Sequence, residues 1–313
     1  MISAIFPENF RPQFSGHETF PLRQLWLLKF SQLINDIQNG VVGKPSDEDA
    51  ICILGVGKNM LNSMRYWAQA SGMAEQTPTG MKLTKLGKLI FGTSRRGEHG
   101  LDESCEHSAT QWLVHWNLSA TPVHFTTNWF LFNCINTPTI DREVFLKKLK
   151  EWTDENSFKT SLMTLKRSIE VVLRSYVPRQ TGRGHMEDFI EPLLADLDLL
   201  RVESRDVLEF HRAAHPSLPD GLFAYALMDY WSRQTAGSTL DFNHIAFDYG
   251  SPGRVFKLDA KSVDGRLSRL EELTNEALVW TEQAGLRQVI RRNIALKNPE
   301  EFKTMMLKKA YEA

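Results

Sequence analysis

Apolar residues recur every three or four positions along most of the 313-residue chain, and polar residues fill the positions between them. The pattern is clearest over 20–38, 109–118 and 161–176, where each segment gathers its large apolar side chains on one helical face. Alternation with a period of two is confined to short runs beside turns. The pattern therefore predicts a mainly α-helical protein.

The segment after the first helix carries the start and stop signals of a compact unit. Ser46, which three acidic residues follow, predicts the N-cap of a second helix. Gly55 and Gly57 would end that helix and lead into a third, which Asn59 would cap. The run 74–91 then predicts a strand, a Pro-Thr-Gly turn, a second strand and a short helix. This order is typical of a winged helix-turn-helix unit.

The last third of the chain repeats this order of elements. Helices are predicted over 222–234, 240–248 and 262–273, with a turn in GSPGRVF, residues 250–256, before the last of them. The alternating run 277–291 predicts a closing hairpin. The expected fold is mainly α, with two winged helix-turn-helix units flanking a helical middle.

Three parts of the chain follow from this pattern. We predict an N-terminal winged-helix domain over 1–100, a helical middle over 101–180 and a C-terminal winged-helix domain over 187–313. The sequence QTGRGH, residues 180–185, is expected to join the last two parts. Winged helices also serve purely as protein-interaction modules, so this architecture alone does not identify a DNA-binding protein.

Charge is distributed unevenly along the chain. The formal net charge of -1 gives no overall attraction to a polyanion. However, 54–96 carries seven basic residues against the single acid Glu75, and 147–183 is basic again, whereas 187–209 is acidic. The two basic zones are where we expect a polyanion to bind.

Composition also restricts the compartment. No run of about eighteen apolar residues occurs, and the N-terminus lacks the basic-then-apolar pattern of a secretion signal. Cys52, Cys105 and Cys134 stand far apart and form no CxxC pair, which argues against a zinc knuckle or a disulfide framework. We expect a cytoplasmic protein that does not contact a membrane.

The stretch GVGKNMLNSMRYW, residues 55–67, has two interpretations. A phosphate-binding loop needs Gly, four residues, then Gly-Lys and a hydroxyl residue, but Cys52 stands at the first position and Asn59 at the last. Alternatively, the glycines turn the chain between two helices, and the second helix presents Lys58 and Asn59 to a major groove. We favour the turn and expect no nucleotide cofactor.

Candidate DNA contacts follow from the turn interpretation. Lysine contacts phosphates, asparagine can pair with adenine, and arginine can reach the backbone or a guanine edge. The alternative is that these side chains are merely solvated. The predicted contacts are Lys58, Asn59, Asn62 and Arg65 on the helix, Lys82, Lys85 and Lys88 around the hairpin, and Arg254 and Lys257 in the C-terminal unit.

Two groups of acids and imidazoles are candidates for catalysis. His17 and Glu18 in FSGHETFPLR could provide a general base and a carboxylate, while Asp102, Glu106 and His107 could hold Mg²⁺ or Mn²⁺ for phosphodiester cleavage. Both groups also have structural interpretations. The acids could cap helices, and His17 could bond to the backbone.

Several blocks resemble those of a known bacterial family. They are FSGHETFPLR at 14–23, LGVGKNMLNSMRYW at 54–67, ATQWLVHWNL at 109–118, SPGRVFKLD at 251–259 and AGLRQV at 284–289. The family is a domain of unknown function whose members lie beside sulfur-transfer genes resembling PAPS reductases. It includes SspB, the DNA-nicking component of single-strand DNA phosphorothioation systems.

The resemblance implies a component of a phage-defence system that modifies DNA with sulfur. Such a component would bind or nick DNA and would work with a cysteine desulfurase, an ATPase and a sulfur-transferring partner. None of the candidate residues resembles an established nuclease signature. The alternative is a non-catalytic winged-helix adaptor that recognises DNA and recruits the sulfur-transfer proteins.

Overall fold

The computed structural model describes residues 6, 10–93, 99–177, 192–204, 206–234, 236–283 and 285–312. The predicted joint at 180–185 and the basic residues Arg95 and Arg96 lie outside the described residues. Buried apolar side chains from Phe14 to Ala310 form one connected hydrophobic cluster. The protein is mainly α-helical, as the periodicity predicts.

The N-terminal elements follow the predicted order. The strands form an antiparallel hairpin in which Ala74 pairs with Leu83. Ser46 caps the second helix in a capping box with Asp49, as its sequence signal predicts. The elements are α1 (Gln24–Gln38), α2 (Asp47–Leu54), α3 (Lys58–Ala70), β1 (Ala74–Thr77), β2 (Gly80–Leu83) and α4 (Lys85–Phe91).

The middle of the chain is helical but also contains a sheet. The strand order is β3-β5-β4, and Ile140 on β3 pairs with Leu208 on β5. This sheet therefore joins strands that lie on both sides of the predicted joint. The elements are α5 (Ser108–Ser119), α6 (Thr126–Cys134), β3 (Thr139–Asp141), α7 (Arg142–Glu155), α8 (Leu162–Tyr176), β4 (Leu200–Val202) and β5 (Val207–Phe210).

The C-terminal elements repeat the arrangement of the middle sheet. The strand order is β6-β8-β7. Strand β6 precedes the helices of this unit and pairs with β8, the second strand of the hairpin that follows them. The elements are α9 (Asp220–Gln234), β6 (Thr239–Asp241), α10 (Phe242–Phe247), α11 (Pro252–Val255), α12 (Ala260–Leu267), α13 (Leu270–Leu273), β7 (Leu278–Gln283), β8 (Leu286–Arg291), α14 (Asn293–Lys297) and α15 (Pro299–Ala310).

Several predicted boundaries were wrong. Gly57, not Asn59, is the N-cap of α3, so Asn59 lies inside the first turn. The predicted helix over 240–248 is a short strand followed by α10, and the predicted turn in GSPGRVF contains α11, which Ser251 caps. No helix in the described ranges has both the length and the apolar character that crossing a membrane requires.

Candidate nucleic-acid interface

The glycines at 55 and 57 lie in a turn between two helices. Gly55 ends α2 with a left-handed backbone at φ 65°, and its N–H donates to the carbonyl of Ile51. This conformation favours glycine because a Cβ would crowd the following carbonyl. Gly57 has φ -78° and an extended backbone, which any residue adopts. A helix, not a strand, precedes the turn, so the phosphate-loop interpretation lacks its structural context.

Helix α3 has one buried and one accessible face. Leu61, Met64 and Trp67 are at most 1% exposed and anchor the helix in the core. Lys58 and Asn59 are exposed on the other side. Because the buried residues fix the rotation of the helix, the polar face is held towards solvent.

The α3 stripe is the set of side chains that this rotation places along the accessible face: Lys58, Asn62, Arg65 and Gln69. Their spacing of three and four residues puts them one above another on the helix. Within the described part of the chain, the side chains of Lys58 and Asn62 have no hydrogen-bond or ion-pair partner. Both are therefore available to a ligand.

Arg65 differs from its neighbours because it is paired. Its Nη2 donates to Asp47 Oδ1 at 2.6 Å, and its Nη1 donates to Asp47 Oδ2 at 3.3 Å. The hydrogen bond and the positive charge of Arg65 hold the pKa of Asp47 below its usual value. A phosphate that binds Arg65 must therefore compete with a carboxylate.

The basic residues around the hairpin occupy accessible positions. Lys82 lies on β2, opposite Glu75 on β1, while Lys85 and Lys88 lie on α4. All three lysines are exposed. No ion pair involves them in the portion that the structure describes. They add exposed positive charge to the N-terminal unit that contains α3.

The predicted contact Lys257 is corrected by the structure. Its side chain is 1% exposed, and its Nζ donates to the carbonyl of Phe132 at 2.8 Å. The ammonium lies 4.1 Å from the ring centroid of Phe210, and burial lowers the pKa of Lys257 well below its usual value. A backbone φ of 50° follows α11 and turns this residue inward. Lys257 therefore cannot reach a phosphate.

Arg254 is held by neighbours from the middle and the C-terminal parts of the chain. Its guanidinium donates to the carbonyl of Phe247 and to Asn136 Oδ1. It also lies over the ring of Tyr249, 4.6 Å from the centroid. Arg254 is half-buried, so its contacts are those of a structural residue.

A cleft of about 800 Å³ near α12 holds other exposed cations that sequence reasoning missed. Arg212 and Lys261 line it and are exposed. Arg266 and Arg269 also line it, but both pair with Asp220 at 2.6 Å. In the sequence, these cations appear as basic residues that flank a proline-rich loop. The sequence alone could not show which of them are exposed, or distinguish them in this respect from the basic residues after Gly253.

His17 lies in an aromatic environment. It is 3% exposed, and its ring lies 5.7 Å from that of Tyr66 and 5.6 Å from that of Phe125. The Nδ1 atom accepts the N–H of Thr19 at 3.2 Å. Burial lowers the pKa of His17 to about 4, so the ring is neutral at neutral pH. These contacts agree with the structural alternative for His17.

Glu18 is exposed beside His17, in a strained segment. Gly16, Glu18 and Thr19 all have positive φ, at 106°, 48° and 66°. This segment and Arg167 on α8 together line a cavity of about 150 Å³. Strain of this kind is common at functional sites, but here it also shapes the entry to the first helix.

Asp102 organises the start of α5. Its carboxylate is buried and accepts the N–H of Glu106 at 3.1 Å, the N–H of His107 at 3.0 Å and the hydroxyl of Thr110. His107 is the N-cap, since its Nδ1 accepts the N–H of Ala109. Only Glu106 of this group points an exposed carboxylate outward. The predicted metal ligands are thus mostly engaged in capping.

The two candidate catalytic groups do not form one cluster. His17 and Glu18 lie beside α3 and α8, whereas Asp102 and His107 contact Thr110 and the ring of Tyr311. Mg²⁺ commonly binds carboxylate oxygens that are not already saturated by internal donors. Among the residues with described positions, no group of three His, Cys, Asp or Glu could hold a metal ion. The predicted set does not fit a resident ion at Asp102.

A family model described as "Protein of unknown function (DUF4007)" matches residues 14–311. The chain belongs to this family. The resemblance predicted from the five sequence blocks, to a domain of unknown function that includes SspB, is thereby confirmed. No curated protein matches the chain.

Two solved structures share the fold of this DUF4007 member. A magnesium ion-bound SspB crystal structure has a TM-score of 0.81 and 23% sequence identity. A second SspB crystal structure has a TM-score of 0.80 and 24% identity. In both comparisons 96% of this chain and 88% of the other are covered. The likeness establishes a common fold, and the magnesium ion belongs to that SspB structure.

Proposed function

We propose that this DUF4007 member is a DNA-binding component of a bacterial DNA phosphorothioation and phage-defence system. The fold that it shares with SspB over 96% of its length supports the system. The observation that carries DNA binding is the α3 stripe, where Lys58 and Asn62 are accessible on a helix locked into the core by Trp67.

Winged helix-turn-helix architecture is part of this proposal. In the N-terminal unit, α2 and α3 precede the β1–β2 hairpin. In the C-terminal unit, β6 lies before the helices and pairs with β8 of the hairpin. The middle sheet has the same order, so we extend the assignment to a third unit built on β3, α7, α8, β4 and β5. Helix α3 is then the helix that enters a major groove.

The chemistry of the proposed contact follows from the side chains. Lys58 in the first turn, with Lys82, Lys85 and Lys88 nearby, neutralises phosphates and releases counterions. Asn59 and Asn62 carry amides that match the donor and acceptor of adenine in the major groove. In the C-terminal unit, Lys261 and Arg212 replace Lys257 as the proposed contacts, because they are exposed.

Nicking is the more specific part of the proposal. The resemblance to SspB supports it more strongly than the positions of the candidate catalytic residues do. Asp102 and His107 have capping roles, and His17 is buried. A metal-dependent nick with Mg²⁺ or Mn²⁺ would therefore rest on one of two separate exposed carboxylates, Glu18 or Glu106. If the chain nicks, supercoiled plasmid becomes open circle with either ion, and Glu18→Gln or Glu106→Gln stops the conversion. Conversion that persists in both variants excludes these carboxylates.

A second candidate function is an adaptor that recruits a PAPS-reductase-like sulfur transferase or an ATPase. The observation that favours it is a pair of apolar side chains at the start of α8, Leu162 and Met163, which are 48% and 57% exposed. Contiguous exposed apolar patches mark sites of protein contact, and these two side chains would contribute to such a patch. Met163→Glu should abolish co-purification with the partner. Unchanged co-purification contradicts this role for α8.

DNA binding itself is tested by the salt dependence of affinity. A labelled duplex and a labelled single strand are titrated with protein at several salt concentrations, and binding is followed by fluorescence anisotropy. Lys58→Ala should weaken binding and reduce the slope of log K against log salt by about 1. Lys308→Ala, which removes an exposed lysine on α15, is the matched control. Equal slopes for the two variants contradict the proposed surface.

A further inference from the structure

A cavity of about 400 Å³ lies beside the accessible face of α3. Helix α3 provides Asn62, Tyr66 and Gln69 on one side. Gln13, from the segment before α1, and Val123, from the loop between α5 and α6, close the other side. Three separate parts of the chain therefore build this cavity, and its volume exceeds the roughly 300 Å³ at which small-molecule pockets begin.

The polar groups of the cavity are amides with unused hydrogen-bonding capacity. The side chain of Asn62 has no hydrogen-bond partner within the described ranges. Gln69 uses its Nε2 on the carbonyl of Arg65, and Gln13 uses its Nε2 on the carbonyl of Ser15. The Oε1 atoms of both glutamines remain as acceptors. The cavity thus offers donors and acceptors together.

Of the described residues that line the cavity, Arg65 alone is a cation, and it is already paired. Arg65 lines it, but the guanidinium pairs with Asp47 at 2.6 Å. A ligand in the cavity consequently meets amide dipoles and little net charge. This favours a neutral, polar and hydrogen-bonding group over a free phosphate.

A rigid aromatic wall completes the cavity. The hydroxyl of Tyr66 donates to the carbonyl of His124 at 3.0 Å, and its ring packs against Trp67 at 5.1 Å. Gly16 also lines the cavity and packs directly against this ring, since a Cβ at Gly16 would lie 2.7 Å from it. Tyr66 is thus held in place by its neighbours and forms a fixed part of the lining.

The cavity opens along the face proposed for DNA. Asn62 and Gln69 follow Lys58 at helical spacing, so both belong to the α3 stripe. A ligand bound there must therefore be close to a duplex held by Lys58. We propose that the cavity takes a single nucleobase that has left the duplex stack. This inference rests on the proposed DNA binding and adds base extrusion to it.

Proteins that act on individual nucleotides meet the same balance of favourable and unfavourable interactions. Extrusion breaks the stacking and pairing of one base, and hydrogen bonds from the protein to the edge of that base offset this cost. Asn62, Gln69 and Gln13 supply the edge contacts, and Tyr66 supplies the wall. An extruded base also exposes the backbone on both sides, where sulfur or a nick would be introduced.

The test uses 2-aminopurine, whose fluorescence rises when it leaves the stack. It is placed in turn at each position of a labelled duplex, opposite an abasic site to lower the cost of extrusion. Binding is measured by anisotropy in the same samples. Wild-type protein should raise the fluorescence of the bound complex at defined positions. Asn62→Leu and Val123→Trp, which remove an amide and fill the mouth, should reduce that rise at least about fivefold.

A matched variant separates binding from extrusion. Lys58→Ala should lower the affinity while leaving the fluorescence of each bound complex as high as in the wild type. Tight, salt-dependent binding with no fluorescence rise at any position overturns the nucleobase cavity and leaves the proposed DNA binding in place. Failure to bind either duplex or single strand at low salt overturns both.

Discussion

Arg65 on α3 and Asp47 at the start of α2 form a two-point ion pair across the turn between these helices, at 2.6 Å and 3.3 Å. The pair links the first turn of α2 to α3. It also places a carboxylate beside the α3 stripe. Because the two side chains are 33% and 50% exposed, the pair contributes only about 0–1 kcal/mol to folding stability. Its larger effect is on what α3 can bind.

Removing the acid should strengthen DNA binding. Asp47→Asn leaves Arg65 free for a phosphate, so we expect tighter binding and a salt slope steeper by about 1. Glu48→Gln removes the same charge one residue later without releasing Arg65, and its effect should be smaller. Anisotropy titrations at several salt concentrations compare the three proteins. Weaker binding by Asp47→Asn contradicts the competition between Asp47 and phosphate.

The two glycines of the turn should respond differently to substitution. Gly55→Ala forces a Cβ into the left-handed region and should lower the free energy of unfolding by about 1–2 kcal/mol. Gly57 has negative φ, and a Cβ there has no atom within 4 Å. Gly57→Ser supplies a preferred N-cap side chain for α3 and should therefore not lower the free energy of unfolding. Urea unfolding measures both, and equal losses contradict the assigned turn.

Helices α2 and α3 were predicted well from the sequence because the signals that define them are local. Ser46 and Asp49 form their capping box within four residues, and the apolar period of α3 fixes its buried face. Strands β3 and β6 were missed because each has three residues and pairs with a strand far along the chain. A strand that short leaves little alternation to detect.

The residues of the candidate site could be predicted only where the helical period determines which side chains are exposed. Lys58 and Asn62 lie on the accessible face, as predicted. Lys257 has the same basic character, but a backbone φ of 50° turns it towards Phe132 and Phe210. The cavity beside α3 depends on Gln13 and Val123, which meet only through tertiary packing. No sequence spacing could reveal these contacts.

Lys257 and Lys261 provide a test of the corrected C-terminal surface. Lys261→Ala removes an exposed charge and should reduce the salt slope of DNA binding by about 1. Lys257→Met removes a buried amine and should leave the slope unchanged. Circular dichroism confirms that both variants are folded. A reduced slope in Lys257→Met alone would falsify the assignment of Lys257 to the core.

Acid should destabilise the protein through its buried imidazoles. Burial lowers the pKa of His17 from 6.5 to about 4, so between these values the unfolded chain binds a proton that the folded chain excludes. Stability contributed by neutral His17 is therefore present above pH 6.5 and is lost as the pH falls towards 4. The greatest slope from one such group is about 1.4 kcal/mol per pH unit.

His17→Asn isolates this contribution. Asparagine can still accept the N–H of Thr19 but does not titrate. Urea unfolding at a series of pH values should show a shallower loss of stability in the variant than in the wild type. His115 and His215, whose pKa values burial lowers to about 3 and about 4, keep part of the slope. An unchanged slope contradicts the buried neutral state of His17.

The most direct test of the central claim is photo-crosslinking from α3 to DNA. Asn59, exposed in the first turn, is replaced by p-benzoylphenylalanine, and the same residue is placed at Lys308 on α15 as a control. With a bound duplex, the account predicts a protein–DNA crosslink from position 59 and none from position 308. Crosslinking from position 308 alone, at a concentration where the duplex is fully bound, contradicts DNA recognition by α3.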